Sequence, residues 1–192
     1  MFIIDNYLDE ETFNGMKNTM LSSSFPWNYA QVKSGKNTHN TPQEEIEHYS
    51  NQQMYHEFHG FEHAIHKTHS QTMKIIWPLL KKIQPAVLGR IKANLQFHTQ
   101  TQYQSPFHTD MTLMPKDVPY YTAVFYLNTN DGYTILEDTD EKIYSYENRF
   151  VVFDGHRAHA GSTCTDSKIR AVINLNFIPS VDTKFADNII YS

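Results

Sequence analysis

Ile169-Arg-Ala-Val-Ile-Asn-Leu-Asn-Phe177 is a stretch in which every second side chain is apolar. Successive side chains of a β-strand point to opposite faces, so the alternation predicts one strand with two different faces. The apolar face is expected to pack on helices. The opposite face is then expected to point into a barrel, and it carries Arg170, Val172, Asn174 and Asn176.

The chain after Gly89 consists of short extended runs with turns between them, including Asn128–Gly132 and Asp154-Gly155. Strands are predicted at Arg90–Thr99, Pro106–Thr112, Tyr120–Asn128, Tyr133–Glu137, Ile143–Tyr146, Arg149–Phe153 and Ile169–Ile178. So many short strands after a helical first half indicate an α+β fold. The expected architecture is an antiparallel double-sheet barrel, a double-stranded β-helix of the jelly-roll or cupin-like type, buttressed by N-terminal helices.

The first part of the chain begins with a short predicted strand, Phe2–Ile4. Asp9 is expected to cap a helix that runs from about Glu10 to Leu21. The stretch from Val32 to Gln53 is polar and lacks periodicity, so a loop is predicted there that could close over a site.

A second helix is predicted from Tyr55 to Leu80, because apolar residues recur there every three or four positions. Pro78 is expected to kink this helix or to start a new one. Pro85 and Gly89 are expected to close the helical region.

The composition is that of an ordinary soluble protein, with 192 residues, 40% of them hydrophobic and 19% charged. One domain is expected over residues 1–192, with helical support and a loop region in 1–89 and the β-barrel core in 90–178. The net charge of -5 gives no basic footprint for nucleic acid. The sequence shows no signal peptide and no membrane span, and its single cysteine fits a reducing compartment, so a cytoplasmic location is expected.

His108-x-Asp110 is a candidate metal-binding pair, because residues i and i+2 of a strand project from the same face. His159 follows the predicted strand and turn Arg149–Gly155, where a barrel strand would deliver a side chain to the mouth. Arg170 on the barrel side needs an anion, because an interior guanidinium is costly without one. Two histidines and one carboxylate on one side of a metal form the ligand set of non-haem Fe(II) oxygenases.

The chain resembles the Fe(II)- and 2-oxoglutarate-dependent dioxygenases, particularly the prolyl-4-hydroxylase-like branch and its short single-domain bacterial and phage members. The resemblance covers about residues 90–178, and the opening Phe2-Ile-Ile-Asp-Asn-Tyr-Leu-Asp9 also looks like that branch. Its motifs are Phe107-His-Thr-Asp110, Tyr121-Thr-Ala-Val-Phe-Tyr-Leu-Asn128, Asp131-Gly-Tyr-Thr134, Asn148-Arg-Phe-Val-Val-Phe-Asp-Gly155, His159-Ala-Gly and Arg170-Ala-Val-Ile-Asn-Leu-Asn-Phe177.

The resemblance implies a hydroxylase that uses Fe(II), O₂ and the co-substrate 2-oxoglutarate, and that releases succinate and CO₂. It implies that Fe(II) is bound by His108, Asp110 and His159. Arg170 would pair with the distal carboxylate of 2-oxoglutarate, assisted by Tyr126 and Thr134. An aspartate at position 110 disfavours a halogenase, since halogenases of this kind lack the carboxylate.

Polar side chains alternate along the strands that would line the substrate pocket. The candidate substrate contacts are Asn94, Gln96, His98, Asn174 and Asn176. This polar lining departs from the aromatic positions near the site of prolyl hydroxylases and does not favour peptidyl-proline. The substrate class stays open between a small molecule and a protein side chain, and the sequence does not indicate an oligomeric state.

Several alternatives remain beside this interpretation. His156 competes with His159 for the third ligand position, although the motif around His159 favours His159 as the ligand. His59, His63 and His66 lie on one side of the predicted second helix, and the first two have the spacing of a zinc site. A cupin-like module that binds a metal or small ligand without turnover is the main rival function, and a structural or host-interaction protein is a third.

Overall fold

The computed structural model describes residues 1–30, 52–62, 65–68 and 70–180 of the chain. Two helices and eleven strands lie in these ranges. In chain order they are β1 (Phe2–Ile4), α1 (Glu10–Met20), β2 (Asn28–Ala30), β3 (Gln53–Glu62), β4 (Ile65–Thr68), α2 (Ser70–Ile83), β5 (Pro85–Phe97), β6 (Tyr121–Tyr126), β7 (Asn130–Leu136), β8 (Lys142–Ser145), β9 (Phe150–Asp154), β10 (His159–Gly161) and β11 (Ile169–Pro179).

The strands form two antiparallel sheets. The major sheet has the order β1-β9-β6-β11-β5-β3-β2, with β4 also paired to β3, and the minor sheet has the order β10-β7-β8. A buried apolar cluster fills part of the space between them, since it joins Val124 and Val172 of the major sheet to Leu136 and Ile143 of the minor sheet. This double-sheet barrel confirms the predicted α+β fold of the jelly-roll type.

The other face of the major sheet packs on the helices. On β11 the buried residues of this face are Ala171, Ile173, Leu175 and Phe177, which confirms the orientation predicted from the alternating sequence. Helix α1 contributes Phe13 and Met16 to the same core, and α2 contributes Ile76, Leu79 and Ile83. None of the helices in the described ranges is long and apolar enough to cross a bilayer.

The N-terminal elements agree with the sequence prediction. β1 spans Phe2–Ile4 as expected, and α1 ends at Met20, with Leu21 as its C-cap. The Asp9 carboxylate accepts a hydrogen bond from the backbone N–H of Thr12 at 2.9 Å, as an N-cap should.

The helix predicted from Tyr55 to Leu80 was wrong over its first half. Residues 53–62 form β3, which pairs with β5 along most of its length, and α2 begins only at Ser70. The apolar stripe misled because three- and four-residue spacings also arise where a strand carries a bulge, and β3 changes register between Glu57 and His59. Of the loop predicted at 32–53, residues 32–51 lie outside the described residues, and Gln53 is the first residue of β3.

The prediction that Pro85 closes the helical region is confirmed, because α2 ends at Ile83, whereas the predicted role of Gly89 is wrong. Helix α2 continues through Pro78 to Ile83, so no new helix starts at the proline. Pro85 begins β5, and Gly89 lies inside that strand. A Cβ added at Gly89 would lie 2.9 Å from the backbone oxygen of Asn176, so glycine permits close packing of β5 on β11 there.

The strand predicted at Pro106–Thr112 is absent. The segment forms only an isolated bridge at His108, and turns follow it. The turn expected over Asn128–Gly132 is shorter than predicted, because β7 already begins at Asn130. The remaining predicted strands are present with boundary shifts, whereas β2, β3, β4 and β10 were not predicted.

Candidate metal and co-substrate site

A backbone bridge brings the two candidate histidine ligands together although they are distant in sequence. The N–H of His108 donates to the carbonyl of His159 at 3.0 Å, and the N–H of His159 donates back at 2.9 Å. This pairing attaches the segment before Asp110 to β10 at the edge of the minor sheet. The two imidazole rings consequently lie 4.9 Å apart, centroid to centroid.

The Asp110 carboxylate faces both imidazoles. Its Oδ1 lies 3.8 Å from His108 Nε2, and its Oδ2 lies 3.7 Å from His159 Nε2. The three potential ligand atoms all lie within 4.8 Å of one another. Two ligands that are each about 2.1 Å from one ion lie roughly 3 to 4 Å apart, so the two distances between Asp110 and the histidines fit a shared metal.

The backbone fixes the orientation of both rings. Nδ1 of His108 lies 3.1 Å from the carbonyl oxygen of Pro106, and Nδ1 of His159 lies 3.3 Å from that of Arg157. A carbonyl only accepts hydrogen bonds, so each neutral ring carries its proton on Nδ1 and its lone pair on Nε2. Both Nε2 atoms face the carboxylate, and this donor set fits Fe(II).

Asp110 is held in its ionised form by its surroundings. Its side chain is only 4% exposed. Burial raises the pKa of this carboxyl, but the His159 ring, the Asn176 hydrogen bond and the charge of Arg90 outweigh burial and leave the pKa below its ordinary value. Asn176 Nδ2 donates to Asp110 Oδ2 at 3.0 Å and also contacts Thr122 Oγ1 at 3.0 Å. An ionised carboxylate is the form that binds a metal.

Arg170 is buried inside the barrel, as predicted, with 3% exposure. Its guanidinium donates to three neutral acceptors: Ser145 Oγ at 2.9 Å, Gln96 Oε1 at 3.2 Å and Thr134 Oγ1 at 3.1 Å. Among the described residues, no carboxylate forms a salt bridge with it. Burial lowers the pKa of Arg170, because it removes water from the guanidinium.

Tyr126 and Thr134 accompany Arg170. The Tyr126 hydroxyl donates to Thr134 Oγ1 at 2.9 Å, and the Arg170 guanidinium carbon lies 5.6 Å from the centre of the tyrosine ring. Tyr126 is fully buried behind Thr134, and only Thr134 lines the pocket. Thr134 is therefore the nearer of the two to any bound co-substrate, whereas Tyr126 fixes its hydroxyl.

One pocket joins the histidines to the buried arginine. Its lining residues are Asn94, Gln96, His108, Val124, Thr134, His159, Ala160, Gly161, Arg170, Val172 and Asn174. Three of the five candidate substrate contacts therefore reach it.

The other two candidate contacts lie elsewhere. His98 is exposed beyond the end of β5, where its Nδ1 lies 3.2 Å from the Ser167 carbonyl oxygen. Asn176 contacts Asp110 instead of lining the pocket. Both were predicted from simple alternation. Alternation indicates which face of a strand a residue lies on, but not whether its position along the strand is level with the pocket.

Two contributors to the site were missed from sequence. Ser145 receives the Nε–H of Arg170, and Thr122 holds Asn176. Ser145 follows the buried Ile143 by two residues, so alternation along β8 was a usable signal. Thr122 gave no distinguishing signal.

The competing histidines have other surroundings. His156 packs edge-on against Tyr120, and its Nε2 lies 3.1 Å from the Val118 carbonyl oxygen. His59 lies on β3, with Nδ1 2.7 Å from Thr68 Oγ1, so the helical spacing that suggested zinc does not exist there. His63 lies outside the described residues.

Comparison with known proteins gave no matching family model and no matching curated protein. Solved structures do match. The epimerase SnoN from nogalamycin biosynthesis, described as non-haem and α-ketoglutarate-dependent, has a TM-score of 0.59 at 10% identity over 99% of this chain and 84% of that chain. A Trichoplax adhaerens prolyl hydroxylase, solved with a peptide of hypoxia inducible factor, has a TM-score of 0.57 at 15% identity over 92% of this chain and 82% of that chain.

A third match is an oxidoreductase of the 2OG-Fe(II) oxygenase family from Burkholderia pseudomallei. Its TM-score is 0.51 at 10% identity, over 65% of this chain and 68% of that chain. At such low identity these likenesses concern the fold, and they agree with the sheet order and helix placement described above. The chain has the fold of the 2-oxoglutarate- and Fe(II)-dependent oxygenases, prolyl hydroxylases among them.

Proposed function

We propose that this protein is an Fe(II)- and 2-oxoglutarate-dependent oxygenase that hydroxylates its substrate and releases succinate and CO₂. The observation that carries the proposal is that one pocket contains both candidate histidine ligands and a buried guanidinium that has no carboxylate partner among the described residues. A metal site and a separate anion site in one pocket suit a chelating dicarboxylate.

His108, Asp110 and His159 would bind Fe(II) through Nε2, a carboxylate oxygen and Nε2. When bound, Fe(II) and O₂ supply the oxidative decarboxylation of 2-oxoglutarate and the transfer of one oxygen atom to substrate. Ligands on one side of the ion leave the opposite side for the co-substrate and O₂.

Arg170 would bind the distal carboxylate of 2-oxoglutarate with its planar fork. Ser145 and Gln96 hold the guanidinium in place through hydrogen bonds, so little side-chain freedom is lost on binding. Thr134 can turn its hydroxyl toward the same carboxylate, since it already accepts from both Tyr126 and Arg170.

The test is the formation of succinate from 2-oxoglutarate by the purified protein, with and without Fe(II). His108→Ala and Asp110→Ala should abolish it, because each removes one ligand. His156→Ala is the matched control, since that ring lies against Tyr120, and it should retain turnover. Unchanged turnover in both ligand variants would refute the assignment.

The same assay separates the oxygenase from a cupin-like binding module. A binding module would bind Fe(II) and 2-oxoglutarate, as measured by anaerobic calorimetry, without any release of succinate. Crystals grown anaerobically with Fe(II) and N-oxalylglycine would show whether the co-substrate mimic reaches Arg170.

A further inference from the structure

Strand β5 presents a row of polar and charged side chains to the barrel. Its alternate residues Ile91, Ala93 and Leu95 belong to the helix-side core, so the residues between them face the other way. That inward row consists of Arg90, Lys92, Asn94 and Gln96. The row therefore begins with two cations and ends beside Arg170, which is paired with Gln96.

The two cations lie near the metal ligands and away from Arg170. Lys92 is opposite Asn174 on β11, and Asn176, two residues further along, contacts Asp110. Asn174 lies four positions from Arg170 along β11, a distance of roughly 13 Å. A carboxylate that is bound at Arg170 therefore does not neutralise Lys92.

Neither cation forms a salt bridge in the part of the chain that the structure describes, and the nearest acidic influences are Asp110 on both and Glu57 on Lys92. Lys92 Nζ lies over the Tyr55 ring, 4.8 Å from its centre, and Arg90 is half-buried without a salt bridge. Burial and the neighbouring charge of Arg90 lower the pKa of Lys92. The carboxylate across the strand pair, Glu57, packs over Gly60 and forms no salt bridge with Lys92.

Two buried carboxamide oxygens on the same face also lack hydrogen bonds. Asn94 Oδ1 and Gln53 Oε1 have no donor among the described residues, although the residues are only 5% and 1% exposed. Gln53 is paired with Gln96 across β3 and β5, so it belongs to the same barrel face. A buried acceptor without a donor costs about 1 to 3 kcal/mol, which a ligand can recover by supplying an N–H or O–H group.

We infer that the primary substrate is a small anion that also carries N–H or O–H donors. Its carboxylate or phosphate binds against Lys92 and Arg90, and a donor of the same molecule reaches Asn94 Oδ1. This inference rests on the oxygenase function proposed above and specifies its substrate. A neutral peptide segment would leave both half-buried cations without an ion pair, so a small anionic metabolite is favoured over a neutral protein side chain.

Binding can be measured without turnover. The measurement is anaerobic calorimetry on the Fe(II)-loaded protein. Saturating 2-oxoglutarate is added first, so that it occupies the proposed site at Arg170 before each probe is titrated. The probes are matched pairs: each free L-amino acid with its carboxamide, and adenosine 5′-monophosphate with adenosine. In at least one pair, the member that carries the carboxylate or phosphate should bind about tenfold more tightly than the member without it, and the pair that does so distinguishes carboxylate from phosphate.

Substitutions of Lys92 then test whether this side chain causes the binding preference. Lys92→Met keeps the length of the side chain, and it should abolish the preference for the anion, whereas Lys92→Arg should retain it. Lys74→Met, at an exposed position of α2, is the matched control and should not change the preference. Equal binding of anionic and neutral probes, no binding of any probe, or an undiminished preference in folded Lys92→Met would each overturn the inference.

The two proposals fail separately. If the protein forms succinate but shows no preference for anionic probes, the proposed oxygenase function stands and the proposed anionic substrate is refuted. Conversely, titration of the metal-free protein still reports an anion preference at Lys92 if the protein proves unable to turn over 2-oxoglutarate.

Discussion

Asn176 Nδ2 donates a hydrogen bond of 3.0 Å to Asp110 Oδ2, the oxygen that faces His159. The contact links β11 to a segment 66 residues earlier in the chain. It leaves the carboxylate less free to rotate away from the two imidazoles, so Asn176 acts as a positioning residue for the candidate metal site.

Asn176→Ala should weaken Fe(II) binding by about 10- to 100-fold, the usual effect of removing a partner of a metal ligand. Anaerobic calorimetry with Fe(II), or with Mn(II) in air, measures the change. Thr122→Val is the control, because it removes the other partner of Asn176 and leaves the contact with Asp110. Equal metal affinity in Asn176→Ala and the unaltered protein would show that the hydrogen bond does not support the site.

Arg170→Met should raise the KM for 2-oxoglutarate by roughly 30-fold or more, because a charge-assisted pair worth at least about 2 kcal/mol is lost. Fe(II) affinity should be unchanged, since Arg170 bonds Ser145, Gln96 and Thr134 and none of the three candidate ligands. Arg170→Lys should restore little of the affinity for 2-oxoglutarate, because an ammonium cannot reproduce the planar fork of the guanidinium. The control is Arg149→Met, which removes a guanidinium that binds the exposed Asp5 carboxylate and does not line the pocket. A KM that rises equally in both variants would contradict a specific role.

The orientation of β11 was predictable because it depends on local information. A strict two-residue period assigns Ala171 and Ile173 to one face and Arg170 to the other, whichever strands lie beside it. The helix-side burial of Ala171 and Ile173 follows directly from that period. The charge of Arg170 on an inward face then indicated an anion site before any contact was known.

The region from Tyr55 to Leu80 was not predictable in the same way. Its spacing of Phe58, Phe61 and Ile65 suits a helix, and what makes β3 a strand is its pairing with β5, some 35 residues later. Pairing of that kind leaves no trace in a local window. The role of Asn176 was missed for a related reason, since its partner depends on the path of the turns around Asp110.

Asn148 should be a strong determinant of stability. Its backbone has φ of 59°, and its carboxamide accepts from the N–H of Leu8 at 2.9 Å and donates to the carbonyl of Leu8 at 2.8 Å. Asn148→Ala loses both buried hydrogen bonds and places a less suitable residue in the left-handed region, so unfolding should become easier by about 3 kcal/mol. Urea denaturation measures the difference.

Asn148→Gly separates these two contributions. Glycine accepts the positive φ but has no carboxamide, so it should be about 1 kcal/mol more stable than Asn148→Ala and still less stable than the unaltered protein. If the alanine and glycine variants unfold at the same urea concentration, the backbone conformation contributes nothing. Either variant matching the unaltered protein would show that the link between Leu8 and Asn148 is not stabilising.

The ion pair between Asp5 and Arg149 should make stability depend on pH in the acid range. Arg149 Nε and Nη2 bind the two carboxylate oxygens at 2.6 and 2.9 Å, and these hydrogen bonds lower the pKa of Asp5 despite some burial. A folded pKa below the unfolded value of about 3.9 means that the contribution is complete above that value and is lost as the pH falls through the folded pKa. Because Asp5 is 57% exposed, the contribution should not exceed about 1 kcal/mol.

Asp5→Asn should therefore destabilise the protein slightly at pH 7 and have no effect near about pH 2, as measured by urea denaturation at both values. A difference that persists unchanged in acid would show that Asp5 acts through something other than its charge.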